Sequence, residues 1–490
     1  MNKKELVWTL PKSFLRFCYG SVIIISFLIF FTNFIGITSN PFYSNTSVFL
    51  FFISTILVYK IALLNTALTF CLSFSLLTAF SQRIIITYFF PESMDFQLDS
   101  STGINRLVFT KMEVEYGLFF YTLCTGSALL GFLIGGSKSI KIPNTENVKN
   151  VFDFEYINFF VFKFKTIYFI KCVIWFYIIT VLVKIGIILN SGIGLTGATH
   201  NSDQSLLHFI STRSVVIKNF AFFGIILLWQ YEKKNKLTKL FFSLYFIESL
   251  VAASRAFLLS LAQTFTIIYY ILRKKIKLKY IIISIAIIVG FGAIYYVLVS
   301  LLRNYLLTGE VYFSSVNAFL SISRGLSQFD SLLLWIEMPS QLYEKSVGFF
   351  PDLILFINSF VIGDIIPDPD RVNLGKLMVQ YGRQSDFDIF SLAGHSENPG
   401  AFGTTYMYLG LYGGMIYWFL HGFVLTVFMN SKIHTFWKFA IISSFAFGPN
   451  YVVYTSFISL IQPLLVIGLG VIAFDFIKSI FGYKQSLNIK

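Results

Sequence analysis

The sequence predicts an all-α polytopic membrane protein of about twelve transmembrane helices, with one large, partly helical outer loop. Three observations predict it. Hydrophobic residues make up 56% of the chain and charged residues 13%, with a mean hydropathy of +0.72; soluble domains average about 45–50% and 25%. Apolar runs of about 18–25 residues recur along the whole length, which is what a helix needs to cross a bilayer with its backbone groups satisfied. Those runs are continuous rather than alternating, so they do not read as barrel strands.

The first run follows MNKKELVWTLPKSFLR. Its basic start resembles a signal peptide, but the apolar stretch is too long and ends in GITSN without a small-residue cleavage pattern, so it reads as a retained helix. Spans follow at 17–37, 45–60, 62–88, 114–135, 167–189, 214–231, 238–253, 256–272, 280–302, 403–429, 438–455 and 458–477. Lys60 and Arg83 interrupt the apolar signal over 45–88. With the N-terminus inside, the cytoplasmic segments collect Lys3, Lys4, Lys12 and Arg16, then Lys138, Lys141 and Lys149, then Lys233, Lys234, Lys236 and Lys239, then Arg273, Lys274, Lys275, Lys277 and Lys279. Basic residues favour the cytoplasmic side, so both termini are placed in the cytoplasm.

On this topology residues 303–402 face outward, and they are too many for an ordinary connection. The stretch FLSISRGLSQFDSLLLWIE (319–337) has apolar residues near helical spacing, so this loop is expected to fold onto the membrane surface. With no internal repeat or low-complexity linker, residues 1–490 read as a single integral membrane domain with the 303–402 loop inside it.

The net charge of +14 does not imply a nucleic-acid partner, because most lysines lie in short clusters between apolar runs. Cys18, Cys71, Cys124 and Cys172 all fall inside apolar runs and form no disulfide framework. The chain has no P-loop, no G-x-S-x-G and no zinc-spaced His/Cys set. Asp368-Pro369-Asp370 and Asp386-Phe387-Asp388 have the D-x-D form but read as solvated turns, and the Asn45-Thr46-Ser47 sequon lies hard against a span.

The arginines sort differently from the lysines. Of ten, only Arg16 and Arg273 lie on the cytoplasmic side, while Arg83, Arg106, Arg213, Arg255, Arg303, Arg324, Arg371 and Arg383 lie at or beyond the outer ends of spans. That opposes the positive-inside bias, so something on the outer face offsets it. Arginine's planar fork grips phosphate bidentately and stays charged. Each residue also has a plainer reading. Arg255, in the tight VAASRAFLLS hairpin, snorkels or pairs with Glu248; Arg303 anchors a helix end; Arg324 pairs with Asp330 or Ser327. Together they fit an anionic head group at the membrane surface, with a lipid tail lying along the helices.

SLAGHSENPGAFGTTYMYLG (391–410) lies on the same outer face. His395 is the only histidine of the large loop, and an imidazole titrating near neutral pH can take a proton from a sugar hydroxyl. The alternative is that His395 helps Ser396, Glu397 and Asn398 cap the helix that follows. The glycines of GAFGTTYMYLGLYGG fit close helix packing. Glu310, Asp330 and Glu397 are further candidate bases.

These stretches carry a resemblance. ASRAFLLS, LLRNYLLTGE, FLSISRGLSQFDSLLL, GFFPDLILFINSFVIGDIIPDPDR, GHSENPGAFGTTYMYLGLYGGMIYWFLHG and SFAFGPNYVVYTS, over about 238–460, are similar to the Wzy oligosaccharide repeat-unit polymerases, including the enterobacterial common antigen branch. The family's R-x10-G spacing occurs at Arg213 to Gly224, Arg371 to Gly382 and Arg383 to Gly394. The resemblance implies a GT-C-like glycosyltransferase at the periplasmic face of a bacterial inner membrane, joining undecaprenyl-diphosphate-linked repeat units. It implies no cofactor and no metal, and as partners lipid-linked glycans, membrane lipids, a chain-length regulator and a flippase. Arg255 and Arg324 with His395 would be catalytic; Arg303, Arg371, Arg383, Arg213 and Tyr305 would bind the diphosphate and glycan. Competing readings are an O-antigen ligase acting on lipid A core and a lipid-linked oligosaccharide flippase.

Overall fold

An asparagine followed by a proline starts the first helix. Asn40 Oδ1 accepts the backbone N–H groups of Phe42 at 3.1 Å and Tyr43 at 3.5 Å, and Pro41 occupies the first helical position, where no N–H is needed. Helix α1 (Pro41–Leu64) follows. Helix α2 (Lys111–Ser137) opens on a capping box: Thr110 N–H donates to Glu113 Oε2 at 2.7 Å, and Glu113 N–H donates to Thr110 Oγ1 at 3.3 Å. The computed structural model describes residues 40–64, 110–137, 156–159, 162–191, 236–251, 329–358 and 401–429, with isolated positions 24, 220–222, 224, 225, 228, 294, 297, 298, 301, 366, 367, 372, 374, 377, 378 and 381.

After α2 come strands β1 (Tyr156–Phe159) and β2 (Phe162–Lys165), then helices α3 (Thr166–Ser191), α4 (Lys236–Val251), α5 (Phe329–Glu337), α6 (Phe349–Asn358) and α7 (Ala401–Met429). Short 3₁₀ turns at Ser340–Leu342 and Glu344–Ser346 join α5 to α6. The described structure is therefore mostly helical. This agrees with the all-α expectation, to which two four-residue strands add a small hairpin, pairing antiparallel with Tyr156 opposite Lys165 and Phe159 opposite Phe162. The F-x-F-x alternation over 162–165 has period two, which favours a strand immediately before a continuous apolar run that favours a helix. Phe164 anchors the hairpin, its ring 6.0 Å from that of Phe169 at the start of α3.

Among the described residues, Lys111–Gly136, Thr166–Gly186 and Ala401–Val427 are long and apolar enough to cross a membrane, and a shorter apolar helix spans Phe42–Val58. The spans expected at 114–135, 167–189 and 403–429 coincide with α2, α3 and α7, while those expected at 45–60 and 238–253 fall on the helices α1 and α4, which are not among the three of spanning length and hydropathy. Those expected at 256–272, 438–455 and 458–477 lie outside the described residues; 17–37, 214–231 and 280–302 are described only at isolated positions, and 62–88 only at 62–64, where α1 continues to Leu64.

Helices α1, α2 and α7 pack side by side and point the same way. Tyr43 meets Tyr116 and Phe119 near the N-terminal ends of α1 and α2, while further along Ser54 lies 3.5 Å from a Cβ built on Gly126. Tyr116 and Phe120 meet Tyr406, Ala128 meets Gly422, and Gly135 meets Phe423. Their shared core contains Phe51, Leu118, Phe120, Tyr121, Leu129, Phe132, Phe402 and Trp418.

The seam between α2 and α7 is made by small residues. A Cβ on Gly131 would lie 2.1 Å from the Phe419 carbonyl oxygen, and one on Gly422 would lie 2.1 Å from that of Ala128. Gly131 and Gly135 form a G-x-x-x-G face, and without hydrophobic drive between helices in lipid such close backbone approach supplies the attraction. Gly414 behaves likewise, its Cβ position standing 3.0 Å from the Phe120 ring. Gly410 does not. Its φ of 61° and ψ of −162° break α7 into two helical pieces, and nothing approaches its Cβ position within 4 Å. Hydroxyls in these helices turn back on their own carbonyls, as with Thr55 to Phe51 at 3.0 Å and Thr426 to Gly422 at 2.9 Å.

Candidate functional site

Helix α5 comes from the middle of the 303–402 stretch and docks against α7 and α2. Leu332, Leu333, Leu334 and Trp335 are all buried. Four consecutive buried residues occupy most of a helical circumference, so this segment is enclosed by protein. The expectation of a helix merely lying on a surface is corrected in that respect. Described residues beyond it pack alongside: Tyr343 lies edge-on against Trp335 with ring centroids 5.2 Å apart, and Ser346 Oγ accepts the Val372 N–H at 2.7 Å. Asn358 closes the segment after α6, donating from Nδ2 to the Ile366 carbonyl at 2.8 Å and accepting the Ile366 N–H at 3.0 Å.

This docking sets Glu337 at the C-terminal end of α5, above the N-terminal ends of α2 and α7. Glu337 is half-buried as a residue, yet its Oε2 is sealed from solvent and has no hydrogen-bond partner. Burial raises its pKa above the ordinary carboxylate range, and the nearby Glu113 carboxylate raises it further. The helix C-terminus acts in the same direction, since its partial negative charge disfavours a carboxylate. Tyr381 donates its hydroxyl to the Glu337 carbonyl at 3.4 Å. Its own pKa is raised by burial and then by Glu337 and Glu113, and that of Tyr343 by burial and then by Tyr406. Below them, Tyr116 and Tyr406 meet edge-on with ring centroids 6.3 Å apart.

The arrangement therefore brings together one carboxyl whose proton affinity is raised, a second carboxylate engaged in a helix cap, and a group of tyrosines. A carboxyl so placed can exchange a proton with a neighbouring hydroxyl group. Among the described residues, no three His, Cys, Asp or Glu side chains converge as metal ligands would. No family model, no curated protein and no solved structure matches this chain.

The sequence-derived residues Arg213, Arg255, Arg303, Tyr305, Arg324, Arg371, Arg383 and His395 all lie outside the described residues, as do Glu310, Glu397 and both D-x-D turns. Their neighbours in the chain are placed: α4 ends shortly before Arg255, α5 begins shortly after Arg324, and α7 begins shortly after His395. Asp330 falls within α5, Asn45 within α1 and His421 within α7. Gly224, the glycine of one R-x10-G spacing, is a packing position, with its Cβ site 3.2 Å from Ile170 Cγ2. Cys124 and Cys172 are buried among apolar side chains. Glu248 accepts from Tyr177 and Lys184.

Glu337 and its tyrosines were not singled out by sequence. The signal available was an acid closing an apolar helix at the end where the macrodipole disfavours it, in LLLWIE.

Proposed function

We propose that the protein is a glycosyltransferase that polymerises lipid-diphosphate-linked oligosaccharide repeat units on the outer face of a bacterial cytoplasmic membrane. The observation that carries this reading is the docked loop. Residues 329–337 dock against the apolar helices α2 and α7 and hold Glu337 there, its Oε2 without a hydrogen-bond partner; with the segment on the outer side, as the lysine distribution suggests, this would be where the head group of a lipid-linked substrate arrives.

The proposed reaction needs no nucleotide, because the lipid diphosphate is itself the leaving group. Arg255, Arg303 and Arg324, helped by Arg371 or Arg383, hold the donor diphosphate. His395 takes the proton of the acceptor hydroxyl as that oxygen bonds to the anomeric carbon. The anomeric C–O bond breaks, and its electron pair leaves with the diphosphate, whose growing charge the arginines stabilise. Arg213 and Tyr305 contact glycan. Each well-aimed donor of this kind contributes roughly 10²–10³ in rate.

A second reading has one observation in its favour. Lys184 and Glu248 form an ion pair 3.2 Å long inside the apolar helices, and charges within spans are what a lipid-linked oligosaccharide flippase requires. Deleting the gene and resolving surface polysaccharide on a gel separates the readings. Loss of a polymerase leaves a single repeat unit on the acceptor. Loss of a ligase leaves none, and loss of a flippase strands lipid-linked units on the cytoplasmic side.

A further inference from the structure

Helices α3 and α4 run parallel and meet along a heptad-like seam. On α3 the buried positions Ile170, Ile174, Tyr177, Val181 and Lys184 recur at alternating spacings of four and three; on α4 the buried positions are Leu237, Phe241, Leu244, Tyr245 and Glu248. Tyr177 packs on Phe241 with ring centroids 5.1 Å apart, and Phe241 stacks on Tyr245 at 5.9 Å. The side of α3 bearing Ile179, Leu182 and Val183 and the side of α4 bearing Leu240 and Ile247 are exposed.

Into this apolar ladder the chain inserts one charged level. Lys184 Nζ donates to Glu248 Oε1 at 3.2 Å, and the two side chains are only 5% and 4% exposed. Tyr177 Oη donates to Glu248 Oε2 at 2.5 Å, so both carboxylate oxygens are engaged. Burying two charges in apolar surroundings is unfavourable compared with a well-packed apolar pair. What such a level supplies is uniqueness. An apolar heptad seam tolerates a slip by one repeat, which would set Lys184 against the hydrophobic level of Phe241 and leave two buried charges apart.

We propose that Lys184 and Glu248, with Tyr177 engaging the second carboxylate oxygen, are a register lock that fixes α4 against α3, and that the charges serve no chemistry of their own. The lock is independent of the glycosyltransferase reading.

The test uses the full-length protein purified in lipid nanodiscs. Lys184→Met and Glu248→Leu are each expected to lower the melting midpoint by about 5 °C or more, because each strands a buried charge. The double variant is expected to return to the wild-type midpoint or above. Register is read separately by a short thiol cross-link between Val181→Cys and Tyr245→Cys, buried seam positions one turn before Lys184 and Glu248 that leave all three lock residues in place, in a background lacking the native cysteines. The yield is expected to be high with the ion pair present and to fall in the Lys184→Met/Glu248→Leu double variant although that variant is stable. An unchanged cross-link yield in the stable double variant overturns the lock. So does a double variant that melts as low as the singles, which would assign the pair to a role that needs its charge.

Discussion

A Cβ added to Gly131 would stand 2.1 Å from the carbonyl oxygen of Phe419, so α2 and α7 touch backbone to backbone at this level. The contact is mutual along the seam, since Gly422 meets Ala128 in the same way. This seam holds the two helices on whose N-terminal ends α5 docks, so its integrity bears on the candidate site as well as on the fold.

Gly131→Ala and Gly422→Ala should therefore each destabilise the protein by about 1–3 kcal/mol or more, because backbone cannot move aside as a flexible side chain can. Gly186→Ala is the control: nothing lies within 4 Å of its Cβ position in α3. There alanine should be neutral or stabilising by up to about 1 kcal/mol through helix propensity. Thermal melts in detergent decide it, and equal midpoints for all three variants would refute the close seam.

Glu337 should link stability to pH. Its folded-state pKa is raised, by burial first and Glu113 second. The folded protein thus holds the proton more tightly than the unfolded chain. Its contribution is fully present below the unfolded pKa and is lost as pH rises through the folded one. Glu337→Gln should consequently melt above wild type near pH 7, with the two curves converging towards about pH 4. If the carboxyl also serves the reaction, the same variant should lose activity while gaining stability.

The outward placement of the loop can be tested at Ser340, which is exposed at the start of the 3₁₀ turn after α5. A cysteine there, in a chain without the four native ones, should react with a membrane-impermeant thiol reagent in intact spheroplasts. Cysteines near Lys234 or Lys275 should react only after permeabilisation. The reverse pattern would put the candidate site on the wrong side for a lipid-linked periplasmic substrate.

If Arg255 and Arg324 grip a diphosphate in a fork, a point charge is a poor substitute. Arg255→Lys and Arg324→Lys should keep normal membrane levels and lose most polymer on a surface-polysaccharide gel. A near wild-type ladder from either lysine variant, with loss in the alanine variant, would show that charge alone suffices.

The membrane helices were legible because their signal is additive along the chain: α2, α3 and α7 each sum to a spanning run. Their starts were less so. Asn40 with Pro41, and Thr110 with Glu113, set the first turns of α1 and α2 ahead of the strongest apolar stretch. The Gly131 and Gly135 spacing was open to reading, whereas the positive φ of Gly410 was not, since a packing glycine and a hinge glycine look alike in sequence. The site was the least legible part. Glu337 stands out only once α5 is enclosed, and Lys184 finds Glu248 across 64 positions that no local pattern connects. The arginines and His395 were singled out by charge and by the side of the membrane expected from the lysine clusters, and they lie outside the described residues.

The central claim is repeat-unit polymerisation, and the direct measurement is product length made by purified protein in nanodiscs from undecaprenyl-diphosphate-linked repeat units with no other enzyme or nucleotide present. The account predicts a ladder of lipid-linked chains longer than the substrate. His395→Ala and His395→Gln should bind the substrate and melt like wild type yet elongate about 10²–10⁴ times more slowly. Folded wild-type protein that binds the substrate and leaves its length unchanged would contradict the account, as would full elongation by His395→Gln, which keeps the hydrogen bonds of a helix cap but cannot act as a base.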